Sequence, residues 1–160
     1  MRAVLLILAL ALPLSACVCQ KGGAEMDEDD YYVESKLEAK YSFCDDVVLD
    51  TDEKFKLSAL PDHIEATITN LTDKYYNCAS GLSFERKIGD VWYEFPLQGS
   101  EDATIFLDKY ASLEYKKAIA PYHERIDAGL YRIVGFVSPA QIRGDSWGIP
   151  YIVACEFVVE

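Results

Sequence analysis

The side chains most able to do chemistry in this chain are five cysteines, at 17, 19, 44, 78 and 155, and two histidines, His63 and His123. A catalytic zinc needs three protein ligands and a water, and no spacing of His, Cys, Asp or Glu here supplies that set. There is no Gly-x-Ser-x-Gly elbow and no glycine loop able to cradle a phosphate. Adjacent acids such as Asp45-Asp46, or Asp50 with Asp52, carry little signal in a chain with 27 acidic residues. The acidic run from Asp27 to Asp30 lacks calcium-loop spacing and reads as solvated charge. No catalytic residue, metal ligand or cofactor is therefore expected, and the interest shifts to the cysteines.

Cys17 ends a distinctive leader. One positive charge, Arg2, precedes an apolar run over residues 3–12, then Pro13 and small residues. That order is an export signal, and the run is shorter than the roughly 20 apolar residues a membrane-spanning helix requires. Ordinary cleavage after Ala16 is one outcome. The stretch Leu14-Ser15-Ala16-Cys17 also resembles the lipobox of bacterial lipoproteins. That resemblance implies a diacylglyceryl group on the Cys17 thiol, cleavage just before it, and 1–16 as a discarded signal peptide. Two or more acyl chains hold a protein stably, at about 0.8 kcal/mol per buried methylene. The implied location is the extracytoplasmic face of the cell membrane or outer membrane, with the lipid on Cys17 as membrane contact. Val18 is not the Asp that marks inner-membrane retention, so an outer-membrane destination is permitted.

Removing residues 1–16 leaves 14 basic and 27 acidic residues, a net charge of −13. Such a chain repels phosphate backbones, which excludes nucleic acid as a partner and disfavours adhesion to anionic lipid. Residues 17–43 read as a flexible acidic tether: Gly22-Gly23 is followed by Glu25, Asp27, Glu28, Asp29, Asp30 and Glu34. A short helix over 33–41 is possible but nothing local enforces it. Export permits disulfides. Cys44 precedes the first expected strand and Cys78 follows the second, so a turn between antiparallel strands would bring them to one end. A Cys44–Cys78 bridge is expected, stabilising by roughly 3–4 kcal/mol in the chain-entropy model, although sequence does not fix connectivity. Cys155 alternates with Val153, Phe157 and Val159, as a buried thiol would.

From residue 44 onward the hydrophobic period is two. Ile64, Ala66 and Ile68 alternate with Glu65, Thr67 and Thr69, and Asn70-Leu71-Thr72-Asp73 is a turn cluster. Residues 82–88 and 91–97 flank Gly89-Asp90, the pattern of a tight hairpin. Further strands are expected over 47–49, 104–107, 111–119, 129–138 and 151–159. Seven to eight short strands without a helical period predict an all-β antiparallel sandwich over 44–160. Four pieces resemble bacterial Ig-like domains. They are Ile68-Thr69-Asn70-Leu71-Thr72-Asp73-Lys74, Ile88-Gly89-Asp90-Val91-Trp92-Tyr93-Glu94-Phe95-Pro96, Ala128-Gly129-Leu130-Tyr131-Arg132-Ile133-Val134, and Ala154-Cys155-Glu156-Phe157-Val158-Val159. The family implies an Ig-like sandwich and says little of function. Here Pro121-Tyr122-His123-Glu124-Arg125 stands where the family has Gly-bearing turns.

Within that frame Tyr131 is placed for a hydroxyl bond to upstream backbone, with Gly129 allowing a positive φ there. Trp92 is expected to cover the sheet, and Arg132 to pair with a nearby acid. The functional expectation is a lipid-anchored, non-catalytic interaction or structural module of the bacterial envelope. Its partner would be an unidentified envelope protein or other extracytoplasmic ligand. Loops 72–80 and 138–151 are the candidate contacts, with Trp147 the leading contact residue. Arg143-Gly144-Asp145, in the same stretch, reads as a chance tripeptide. The alternative is a regulator or inhibitor of an envelope enzyme, inserting an edge or loop into a cleft. An enzymatic reading would need His63 or His123 beside an acid in a concave pocket.

Overall fold

The computed structural model of the chain describes residues 32–96, 103–141 and 148–160. Its elements are β1 (Val33–Glu34), a single helical turn α1 (Leu37–Lys40), β2 (Val47–Thr51), β3 (Lys54–Phe55), β4 (His63–Asn70) and β5 (Tyr75–Ala79). They continue with β6 (Ser83–Ile88), β7 (Val91–Glu94), β8 (Thr104–Leu107), β9 (Ser112–Ala118), β10 (Gly129–Ala140) and β11 (Tyr151–Val159). Short 3₁₀ turns cover Leu57–Ala59 and Ala120–Arg125. The chain is all-β, as the alternation predicts.

Two sheets face each other. The smaller is β2-β4-β9, antiparallel throughout, with Ile68 opposite Leu49 on one side and Leu113 on the other. The larger runs β1-β7-β6-β10-β11-β3, with β5 also pairing β10 and β8 pairing β5. β5 and β6 take successive stretches of one β10 edge, at 137–140 and 131–134. The exceptions to antiparallel pairing are β3, which runs parallel to β11, and a parallel bridge from Phe43 to Ile152. The β6–β7 hairpin turns through Gly89 at φ 60°, the first-position glycine of a type II′ turn.

The period-two pattern of β4 buries Ile64, Ala66 and Ile68 against the larger sheet. Opposite them, Phe84 anchors an aromatic stack: ring centroids lie 4.6 Å from Phe95, 5.5 Å from Tyr131 and 6.2 Å from Phe157. Rings of this size supply most of the apolar area that a sandwich this small can bury. Gly135 is buried on the inner face of β10. A Cβ there would sit 3.1 Å from Leu82, 3.3 Å from Val153 and 3.4 Å from Ile68, so a larger residue would require those side chains to give by a few tenths of an ångström.

Three expectations change. The body does not begin at 44: residues 32–43 are packed onto it, through β1 on the β7 edge, a Ser35 N–H to Trp92 carbonyl bond and a Tyr41–Phe136 ring contact. The 72–80 loop contains β5, whose Tyr76, Asn77 and Cys78 are all buried, so no alternation announced it. Gly129 does not adopt positive φ; among the described residues only Gly89 and Tyr110 do. The corner forms without it. The Tyr131 hydroxyl donates to the Asp127 carbonyl at 2.8 Å and accepts from the Asp127 N–H at 3.1 Å.

Removing that hydroxyl deletes two bonds and leaves the ring in place. Tyr131→Phe is expected to lower unfolding free energy by about 1–3 kcal/mol in urea titration, with the denaturant slope unchanged. An unaltered midpoint would show that the corner contributes nothing.

Candidate functional site

Two places on this framework gather side chains that neither the core nor the ladders require. The first lies at the end where β10 finishes. Asn70, buried at the end of β4, organises it: its amide donates to the carbonyls of Lys74 (2.7 Å) and Asp108 (3.0 Å), and its oxygen accepts from the Thr72 N–H at 3.0 Å. The turn so fixed presents Lys74, whose ammonium reaches Asp46 at 2.6 Å. Tyr76, one strand-face position along β5, donates its hydroxyl to the same carboxylate at 2.6 Å. These two bonds, Lys74 first, hold the Asp46 carboxyl below the usual carboxylate range. Burial, then donation to Asp46, pushes the Tyr76 hydroxyl up.

Around this trio opens a cleft of about 420 Å³ lined by Phe43, Cys44, Asp45, Asp46, Lys74, Tyr76, Pro139 and Tyr151. Its lining comes from both stretches expected to carry contacts, 72–80 and 138–151, and from residues 43–46 that sequence reasoning left out. Exposed apolar side chains gather at the same end: Phe43 (49 % exposed), Leu71 (55 %), Tyr110 (69 %) and Ile149 (79 %). Large apolar groups left in water together are the usual mark of a contact surface. The signal available in sequence was the aromatic Phe43 beside two acids, hidden inside what read as a tether.

Other expected site residues fall differently. Cys17, Cys19, Trp147 and the Arg143-Gly144-Asp145 tripeptide lie outside the described residues. The Cys44–Cys78 bridge is not formed; Cys44, Cys78 and Cys155 are free thiols. Cys44 bonds the β11 edge through its N–H to Ile152, and its thiol lies in hydrogen-bonding reach of the Tyr76 hydroxyl. Cys78 is deeper, against Tyr115, and burial pushes its thiol up to about 12. Cys155 is likewise pushed to about 12 by burial. Both are poor nucleophiles at neutral pH. The His123 Nε2 contacts the Pro61 carbonyl at 3.0 Å, and exposed His63 opens β4. Neither lines the clefts described, and among the described residues no three His, Cys, Asp or Glu side chains are grouped to hold a metal.

The second gathering is on the outer face of the larger sheet. Arg132, 3 % exposed, bonds through Nε to Glu85 at 2.5 Å, and Glu85 is fully buried. Its Nη1 bonds the Glu38 carboxylate of α1, and its guanidinium lies 4.2 Å over the Trp92 ring. Ser35 donates to the other Glu85 oxygen at 2.6 Å. The expected acid partner for Arg132 is thus Glu85, and Trp92 covers the sheet as a platform for that cation. Segment 32–43 closes the cluster from outside.

No protein-family model matches the chain, and no curated protein matches it at a significant level.

Arg132→Met would leave the Glu85 carboxylate buried with only Ser35 for company. A loss of about 3–5 kcal/mol is expected, largely recovered in the double variant Arg132→Met/Glu85→Leu. A single variant as stable as the parent would show the pair to be unimportant.

Proposed function

We propose that this protein is a lipid-anchored, extracytoplasmic Ig-like module of the bacterial envelope, non-catalytic, that meets its partner through the Phe43–Tyr151 end of the sandwich. The topology supports the Ig-like reading. In that reading the three-stranded sheet β2-β4-β9 would take the place of strands A, B and E, and β5/β6, β10 and β11 that of C, F and G. The Tyr131 hydroxyl bond to the Asp127 carbonyl, near the start of β10, supports the same reading. Phe84 fills the centre of the core, where such folds commonly place a Trp against a disulfide.

One observation carries the functional half: the two most exposed large apolar side chains among the described residues, Tyr110 and Ile149, lie with Phe43 and Leu71 at the end opposite the one where the chain joins the body, which itself exposes Val33, Ile88 and Val91. The Tyr32 hydroxyl donates to the Arg125 carbonyl, next to the start of β10, whereas Phe43, Leu71, Tyr110 and Ile149 surround the far end. A tether reaching Tyr32 from a lipidated Cys17 leaves that apolar end clear of its own attachment point. The described chain holds no helix long and apolar enough to cross a membrane.

The test is a photocrosslinker placed at Phe43 or Ile149 of the full chain in intact cells, with Leu57 as a control site. Mass spectrometry of the mature N-terminus accompanies it. One envelope protein captured from both test positions and not from Leu57, on a polypeptide whose Cys17 carries diacylglycerol, is the expected result. Identical captures from all three positions, or an unmodified Cys17, would overturn the reading.

A further inference from the structure

The end at which β10 starts carries a larger cleft that the proposed contact surface leaves unused. Its volume is about 810 Å³, and its walls include Tyr32, Arg86, Tyr93, Glu124, Arg125 and Asp127. The β6–β7 hairpin forms one side, with Ile88 (47 % exposed) and its pair partner Val91 standing out at the tip. Arg86 is the centre of its chemistry. Nη1 bonds Asp127 at 3.1 Å, the guanidinium lies 5.8 Å over the Tyr131 ring, and Nε is buried without a hydrogen-bond partner. Two cations and two anions line the same cleft, beside two Tyr rings.

From this arrangement we infer that the cleft seats the zwitterionic headgroup of a phospholipid, phosphate toward Arg86 and Arg125, ammonium toward Glu124, Asp127 and the Tyr32 and Tyr93 rings. The pairing of charges selects a zwitterion over a simple anion, which a chain of net charge −12 would repel. Arginine forks suit phosphate, and aromatic faces suit quaternary or primary ammonium. Ile88 and Val91 offer an apolar edge for the glycerol and upper acyl carbons, and Tyr is at home at headgroup depth. Supply is assured by the tether: Tyr32 lines the cleft and follows Cys17 by fifteen positions. Fifteen residues span at most about 50 Å, so an anchored molecule always has a leaflet within reach. This step rests on the lipid-anchor reading for its source of ligand, though the cleft chemistry stands apart from it.

The experiment separates the two. The exported full chain bearing Cys17→Ser, which cannot be acylated, is titrated with glycerophosphoethanolamine and followed by NMR. Saturable shifts of the Arg86 Nε–H and Tyr93 signals are expected, with inorganic phosphate or ethanolamine alone binding at least about tenfold more weakly. Arg125→Gln, an exposed change that leaves the remaining spectrum in place, should weaken binding about tenfold. The lipidated chain in phosphatidylcholine nanodiscs should show the same Tyr93 shift. Absence of saturable shifts, equal binding of phosphate alone, indifference to Arg125→Gln, or a cleft silent in nanodiscs would each overturn the proposal. A silent cleft on a protein with acylated Cys17 sinks this inference alone. A responsive Cys17→Ser protein whose native Cys17 proves bare sinks the anchor instead.

Discussion

A buried cation on the outer face of a sheet sets the terms for this molecule. Arg132 sits on β10, the longest described strand, opposite Glu85 of β6, and both side chains are buried. Taking two such charges out of water costs several kcal/mol per ion before their attraction is counted. The pair persists because it is fully satisfied: Nε to Glu85, Nη1 to Glu38, the ring of Trp92 beneath, and Ser35 on the second Glu85 oxygen. Two of those four partners come from segment 32–43. The consequence is topological. A stretch too polar and too short to fold alone becomes part of the body, because without it the charges beneath would stand open on one side.

That requirement propagates. With Ser35 and Glu38 fixed, the chain reaches Tyr41 over Phe136 and bridges Phe43 to Ile152, so it begins β2 at the same end as the Asn70-ordered turn. Asp46 then receives Lys74 and Tyr76, and Phe43 is left exposed at the rim. On the inner face the aromatic stack around Phe84 does the opposite kind of work, filling volume without direction, while the Tyr131 hydroxyl ties the stack to the chain that leads into β10. The two faces of β10 thus divide the labour: Tyr131 and Ile133 for packing, Arg132 for placing the N-terminal segment.

What sequence could show follows from the range of each interaction. Strands β4, β10 and β11, the Gly89 hairpin, the Tyr131 hydroxyl bond and an acid partner for Arg132 all have local signatures: alternation, a turn dipeptide, one polar residue on an apolar face. β5 has none, because β8 and β10 flank it and three successive residues are buried. Segment 32–43 reads as part of a tether because its partners lie far away in the chain; Glu38 and Arg132 are 94 residues apart. The Cys44–Cys78 expectation rests on both residues lying at one end of a sheet, which does not by itself join the two sulfurs; the thiols are free. Gly129 was credited with a backbone role that the corner does not need. The cleft at the Phe43 end was half legible, through stretches 72–80 and 138–151, and half hidden with the segment that delivers Phe43.

Residues 32–43 are held against the sheet by the Arg132 cluster, and hydrogen exchange of the chain measures that directly. The Ser35 N–H, bonded to Trp92, and the Cys44 N–H, bonded to Ile152, should exchange far below free-chain rates. In Glu38→Gln the Ser35 amide should lose much of that protection while β10 and β11 amides keep theirs. Free-chain exchange at Ser35 in the unaltered protein would contradict the account.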